Sequence, residues 1–252
     1  MSGLEIVSLP QAAWFGAILF LAAAVQSITG FGFGLLALAL LGLVMDVRGA
    51  SAAIAVVALF LNLLLFAKYW RAFRLQRVWP MIVATAVFAP VGVIFLERAP
   101  SGSLLVVLGL VMLASFFQMR FAPSRARQPW HPVYLGVPCG VVGGWVGGAF
   151  GTGGPPLVAF LITQEFPMPR YVASLQVAFG LSAAARVASL AQTGFFTPPT
   201  ILQITAGCGA ALIGMAVGLA VAKAAPKTAL ATGTVWFFGL MGGYYVLKGL
   251  MR

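Results

Sequence analysis

Residues 147–156 read GGAFGTGGPP, and residues 29–35 read TGFGFGL; both interrupt strongly apolar sequence. Glycine and proline are poor residues for a continuous buried helix. The 252-residue chain around them is 62% hydrophobic and 8% charged, with a mean hydropathy of +1.04. A soluble domain carries about a quarter charged residues. This composition predicts an all-α polytopic membrane protein, because a backbone crossing lipid must satisfy its own hydrogen bonds.

The apolar sequence falls into eight segments: Pro10–Met45 (A), Gly49–Lys68 (B), Val78–Leu96 (C), Ser101–Met119 (D), Val133–Thr163 (E), Tyr171–Thr193 (F), Pro199–Ala222 (G) and Ala229–Leu247 (H). Most match the roughly 20 residues that cross a bilayer as a helix. Segments A and E are too long; A as one helix would run about 54 Å, against a hydrocarbon core of about 30 Å. Each long segment carries its glycine break near the middle. The reading is two half-helices joined by a glycine turn, either re-entrant or broken within a span.

Placing Gly30 on Gly151 brings Gly32 onto Gly153, Leu36 onto Leu157 and Leu40 onto Leu161. Further on, LERAPSGSLL aligns with VAKAAPKTAL through Pro100 and Pro226. The expected organisation is an N-terminal repeat over 1–119, a basic cytoplasmic linker over 120–132 and a C-terminal repeat over 133–252. The glycine positions carry most of this signal, and chance similarity between two glycine-rich breaks is the competing explanation. Paired interruptions in the two halves of a membrane chain point to a transporter binding site.

The net charge of +11 would suggest nucleic acid in a soluble protein. Here the basic residues cluster at segment ends, where they orient the chain and meet lipid headgroups, and no nucleic-acid partner is expected. If every segment crosses once, Lys68, Arg71, Arg74, Arg77, Arg120, Arg125, Arg127, Lys248 and Arg252 share one side. If A and E are re-entrant, Arg170, Lys223 and Lys227 join that side while Lys248 and Arg252 leave it. The basic excess grows slightly, favouring inverted repeats with Lys68–Arg77 in the cytoplasm and the N-terminus outside. The opening MSGLEIVSLPQ lacks a basic leader and does not read as a cleaved signal peptide.

There is no GxxxxGK[ST] loop, no HExxH, and one histidine, His131, in the basic linker. Glu5, Asp46, Glu97 and Glu165 sit at or near segment ends, so no paired carboxylates, catalytic residues, metal site or cofactor are expected. Cys139 and Cys208 read as small membrane residues. Trp14, Trp79, Trp236 and Tyr244 fit interfacial belts.

What remains favours anions. A half-helix beginning inside the membrane presents unpaired N–H groups and the positive end of its dipole. Gln26, Ser27, Thr29, Gly30, Gly32 and Gly34 form the first candidate cluster; Gly151, Thr152, Gly153 and Gly154 form the second, with Pro155 and Pro156 suited to a first helical turn. Gly143, Gly144, Gly147 and Gly148 read instead as close helix packing. Arg186 lies well inside segment F, where an arginine costs about 2.5–3.5 kcal/mol on insertion scales. With Ser182, Ser189 and Thr193 it makes one polar stripe. A bound anion would supply its missing counter-charge; snorkelling to an interface is the alternative. Asn62 and Gln176 either line the site or bond between helices.

QSITGFGFGLLALALL and GGAFGTGGPPLVAFLI resemble the paired signatures of the TauE/SafE family of sulfite and organosulfonate exporters, and the likeness extends over nearly the whole chain. The matching positions are Gln26, Gly30, Gly32 and Gly34, then Gly151, Gly153, Gly154 and Pro155. The resemblance implies a non-enzymatic, multi-pass protein of the bacterial inner (cytoplasmic) membrane. It would act as a secondary transporter exporting a small sulfur-containing anion such as sulfite or sulfoacetate, with lipid contacts and room for a homodimer. An anion channel, or an accessory subunit or enzyme of sulfur metabolism, are the other readings.

Overall fold

The computed structural model describes residues 9–121, 131–151, 153–192, 194–224 and 228–251. Every regular element in them is helical: α1 (Leu9–Thr29), α2 (Phe33–Val44), α3 (Val47–Tyr69), α4 (Trp79–Arg98), α5 (Ser101–Phe121), α6 (Pro132–Phe150), α7 (Gly154–Thr163), α8 (Met168–Gln192), α9 (Pro198–Ala224) and α10 (Thr228–Leu250), with a single 3₁₀ turn at Trp70–Ala72. Among the described residues, seven of these helices are long and apolar enough to cross a bilayer. Helices α2 and α7 are shorter. The chain is an all-α polytopic membrane protein.

Segments A and E each divide at their glycines. Gly30 and Gly32 take φ of 87° and 106°, and Gly151 takes 72°. A side chain is strained in this left-handed region, so glycine is what lets the helices stop there. The α1 and α6 ends are closed by Gly30 N–H to Gln26 O at 2.7 Å and Gly151 N–H to Gly147 O at 2.8 Å.

Packing decides between a broken span and a hairpin. Helix α7 doubles back along α6: Gly153 lies against Gly143, Leu157 against Gly143, and Phe160 against Gly136. Helix α6 also runs parallel to α4, with Gly140 on Met81, Gly144 on Thr85 and Gly148 on Ala89. It therefore begins on the side of the loop between α3 and α4. Arg170, at the start of α8, donates to the Gln76 carbonyl in that same loop at 3.0 Å. Segment E thus leaves and returns to one side.

Segment A behaves alike from the opposite side. Helix α1 runs parallel to α9, with Gly207 on Leu19, Gly214 on Phe20 and Gly218 on Ala24. Helix α9 begins where α8 ends, and Ser189 near that end donates to Glu97 of α4 at 2.5 Å. Helix α3 starts on the Glu97 side too, because Arg48 donates to the Leu96 carbonyl at 2.9 Å and to the Ala99 carbonyl. The two hairpins enter from opposite sides.

The remaining large contacts are α5 with α10 and α3 with α8. Small residues let backbones approach: Gly109 meets the Gly242 carbonyl, and Gly249 meets that of Gly102. In lipid such close approach drives association through dispersion contacts and not through water release. The expected packing role of Gly144 and Gly148 is met at α4, whereas Gly143 faces Leu157 and Gly147 faces Ser182.

The expected end-residues are used as caps. Asp46 accepts from Arg48 N–H at 3.0 Å and starts α3. His131 is exposed, and its Nδ1 accepts from Val133 N–H at 3.3 Å to start α6. Trp14, Trp79, Trp236 and Tyr244 are exposed on the outer surface; Trp79 begins α4, whereas Trp236 lies near the middle of α10, away from the helix ends where an interfacial belt sits. Among the described residues no group of His, Cys, Asp or Glu is placed to hold a metal.

Candidate functional site

The two hairpin tips meet. The Phe31 ring lies where a Cβ on Gly154 would be only 3.0 Å from it. Between the tips is a cavity of about 10 Å³, lined by Gln26, Gly32, Phe33, Gly34, Ala58, Asn62, Gly151, Gly154 and Phe179. That volume holds roughly one water molecule. Residues from both breaks share it, together with the middle of α3 and α8.

The first break is held by amides. Gln26 Oε1 accepts from Phe33 N–H at 3.2 Å, and Gln26 Nε2 donates to Asn62 Oδ1 at 3.1 Å. Gln176 Nε2 donates to the Gly30 carbonyl at 3.2 Å, and its Oε1 has no partner. By position, the Gly34 and Leu35 N–H groups of α2 precede the first intrahelical acceptor and point out of the helix start.

The second break is held by Arg186. This residue is 3% exposed. Its Nη2 donates to the Ser51 hydroxyl at 2.6 Å and to the Ser51 carbonyl. Its Nη1 has no partner and occupies the space where a Cβ on Gly151 would stand. Ser51 in turn donates to the Ala149 carbonyl at 3.1 Å. No acidic group pairs with Arg186 among the described residues. Glu97 of α4, which meets α8 three residues further on, is bonded to Ser189. Arg186 does not snorkel to an interface; it stays buried with a permanent positive charge and neutral partners.

Other expected positions do different work. Ser27 donates to Ala23 O at 2.8 Å, within its own helix. The Thr29 hydroxyl lies 2.8 Å from Val25 O and 2.5 Å from Phe31 O, knitting the break internally. Ser182 donates to Ala178 O at 3.3 Å and lies under Gly147. Gly153 serves the contact between α6 and α7. Pro155 and Pro156 have no N–H, so α7 offers Gly154 as its first donor. Thr152 and Thr193 lie outside the described residues. Ser51 carried no sequence signal: it is a lone hydroxyl in the alanine-rich stretch GASAAIAVVA.

This arrangement is a buried cation and a set of neutral donors around two opposed helix starts, without a nucleophile beside a base. The sequence profile of the family described as sulfite exporter TauE/SafE matches residues 15–245. The chain belongs to the TauE/SafE family. The match runs from within α1 to within α10 and takes in both glycine breaks. No curated protein and no solved structure matches the chain significantly. Membership of this transporter family fits a lining with no hydrolytic machinery, and the seven long apolar helices make this member a multi-pass membrane protein.

Proposed function

We propose that this TauE/SafE protein is a secondary transporter of the bacterial inner membrane that exports a small sulfur-containing anion, such as sulfite, sulfoacetate or a related organosulfonate, by alternating access. The observation that carries this reading is Arg186: a buried guanidinium without an acidic partner among the described residues, its free Nη1 against the second break. An anion between the hairpin tips supplies the missing charge, and the N–H groups of Gly34, Leu35 and Gly154 bind the remaining oxygens. The cavity of about 10 Å³ is too small for a sulfo group, so this conformation is a closed one and binding requires the tips to separate.

The pairing of elements supports a two-repeat mechanism. Exchanging α1–α5 with α6–α10 turns the contact of α4 with α6 into that of α9 with α1, and maps α5 with α10 and α3 with α8 onto themselves. Hairpins entering from opposite sides are what an inverted repeat produces, and rocking one half against the other would expose the tips alternately. The Arg74, Arg77 and Arg170 side is the cytoplasm on this reading. An inside-negative potential then favours anion exit by about 2.3 kcal/mol per charge per 100 mV.

The test is sulfite flux in proteoliposomes and sulfite binding to the purified protein, with Arg186→Gln alongside. Loss of at least about tenfold in affinity is expected when a buried charge contact is removed. Unchanged binding by the variant would take Arg186 out of the site, and flux that does not saturate with concentration would indicate a channel.

A further inference from the structure

We infer that Gln26 and Asn62 form a polarity relay that makes the side-chain lining of the central cavity a donor-only surface, so that the site takes a fully ionised, acceptor-only sulfo group and rejects isosteric oxyanions that carry a proton. The inference rests on the anion-site reading of the same cavity.

The relay starts at a group whose polarity is fixed. The Phe33 N–H can only donate, so the Gln26 atom 3.2 Å from it is the carbonyl oxygen. The other end of the Gln26 amide is therefore the NH₂, and it donates to Asn62 at 3.1 Å. The Asn62 atom receiving it must be Oδ1. That leaves Asn62 Nδ2, with two N–H donors and no protein partner among the described residues. Gln26 and Asn62 are 4% and 5% exposed, and both line the cavity. The start of α2 thus dictates, two hydrogen bonds away, which end of Asn62 is left for a ligand.

The consequence is chemical selectivity. Among the described residues, the two side-chain carbonyl oxygens in the lining each already accept a hydrogen bond within the relay. The Gly32 carbonyl is taken by Leu36 N–H at 2.9 Å. No carboxylate lines the cavity. A sulfonate presents three acceptor oxygens and one negative charge, matching a lining of donors with one guanidinium beside it. A phosphonate monoanion has the same shape and charge but carries a P–OH, whose proton would face the N–H groups of Asn62 and α2, beside side-chain oxygens that already accept a bond; the unpartnered Gln176 Oε1 is not among the residues that line the cavity. A buried donor without an acceptor is strongly disfavoured, and sites built on hydrogen-bond polarity discriminate well for this reason.

The experiment compares methanesulfonate with methylphosphonate at mildly acidic pH, where both are monoanions, by calorimetric binding to the full-length protein in detergent. The wild type is expected to bind methanesulfonate at least about tenfold more tightly; equal affinities would overturn the inference, and this readout needs no variant. Gln26→Glu keeps an acceptor for Phe33 N–H but offers a second oxygen to Asn62, which must then turn its Oδ1 toward the cavity. Added negative charge weakens both probes alike, whereas the rotated amide collapses their ratio toward one. A Gln26→Glu protein that elutes monodisperse and retains the wild-type ratio would overturn the relay while leaving the anion site intact. A wild type that binds neither methanesulfonate nor, above neutral pH where it is the dianion, sulfite would overturn the anion site, and the relay with it.

Discussion

Arg186 and Ser51 are joined twice, hydroxyl and carbonyl of one serine both accepting from one guanidinium nitrogen. The same serine hydroxyl reaches on to the Ala149 carbonyl, two residues before Gly151. Helix α3 therefore holds both the cation of α8 and the end of α6 that the cation faces. The buried charge and the second break are positioned as one unit.

Ser51→Ala breaks that unit without touching the arginine. A hydrogen bond to a charged group contributes about 1.5–3 kcal/mol. Sulfite affinity is expected to fall about tenfold or more, with partial recovery in Ser51→Thr, which keeps the hydroxyl. Isothermal titration of the three proteins checks this; an unchanged Ser51→Ala affinity would mean that Arg186 holds its pose through the Ser51 carbonyl alone.

Gly153→Ala tests the hairpin. The added methyl would run into the Gly143 carbonyl oxygen, and backbone has little room to give. Overpacking of this kind costs about 1–3 kcal/mol. A lower melting temperature in detergent and loss of sulfite flux are expected. Wild-type stability would show that α7 does not close on α6 as described.

The return of segment E is testable by position. In a background lacking Cys139 and Cys208, Gln76→Cys and Arg170→Cys should label with an impermeant maleimide from the same side, and should cross-link when combined. Glu97→Cys and Ser189→Cys should behave likewise from the opposite side. Labelling of Gln76→Cys and Arg170→Cys from different sides would restore a single crossing for segment E.

Sequence alone located both breaks because glycine spacing is a backbone signal: the left-handed turns at Gly30 and Gly151 admit few other residues. It also singled out Arg186, because an arginine inside an apolar segment has few neutral explanations. Three things were beyond it. Charge hardly separated a re-entrant segment from a broken span; that needed the contact of Arg170 with Gln76, far apart in the chain. Ser27 and Thr29 read as ligand donors, but a hydroxyl on a helix can bond its own preceding turn at little cost, and both do so. Ser51 matters through a partner in the other half of the chain, and nothing in its local sequence marks that.

The basic side of the protein carries a strained residue. Arg77 adopts φ of 66°, a left-handed conformation that is costly for a residue with a Cβ. It stands next to Gln76, whose carbonyl Arg170 uses, and the charges of Arg74 and Arg77 both act unfavourably on Arg170. Arg77→Gly relaxes the backbone and removes one like charge, leaving Arg71, Arg74 and Arg170 to keep the orientation. Relief of the left-handed strain is worth about 1–2 kcal/mol, glycine's freedom in the unfolded chain takes back about 0.4–1 kcal/mol, and a net gain of about 1 kcal/mol raises the melting temperature of a chain of this size by about 2–4 °C. The expected result is a more stable protein with unchanged binding of sulfite at the central site. A fall in melting temperature would show that the Arg77 side chain makes a stabilising contact that outweighs its strain, and that the loop between α3 and α4 depends on it.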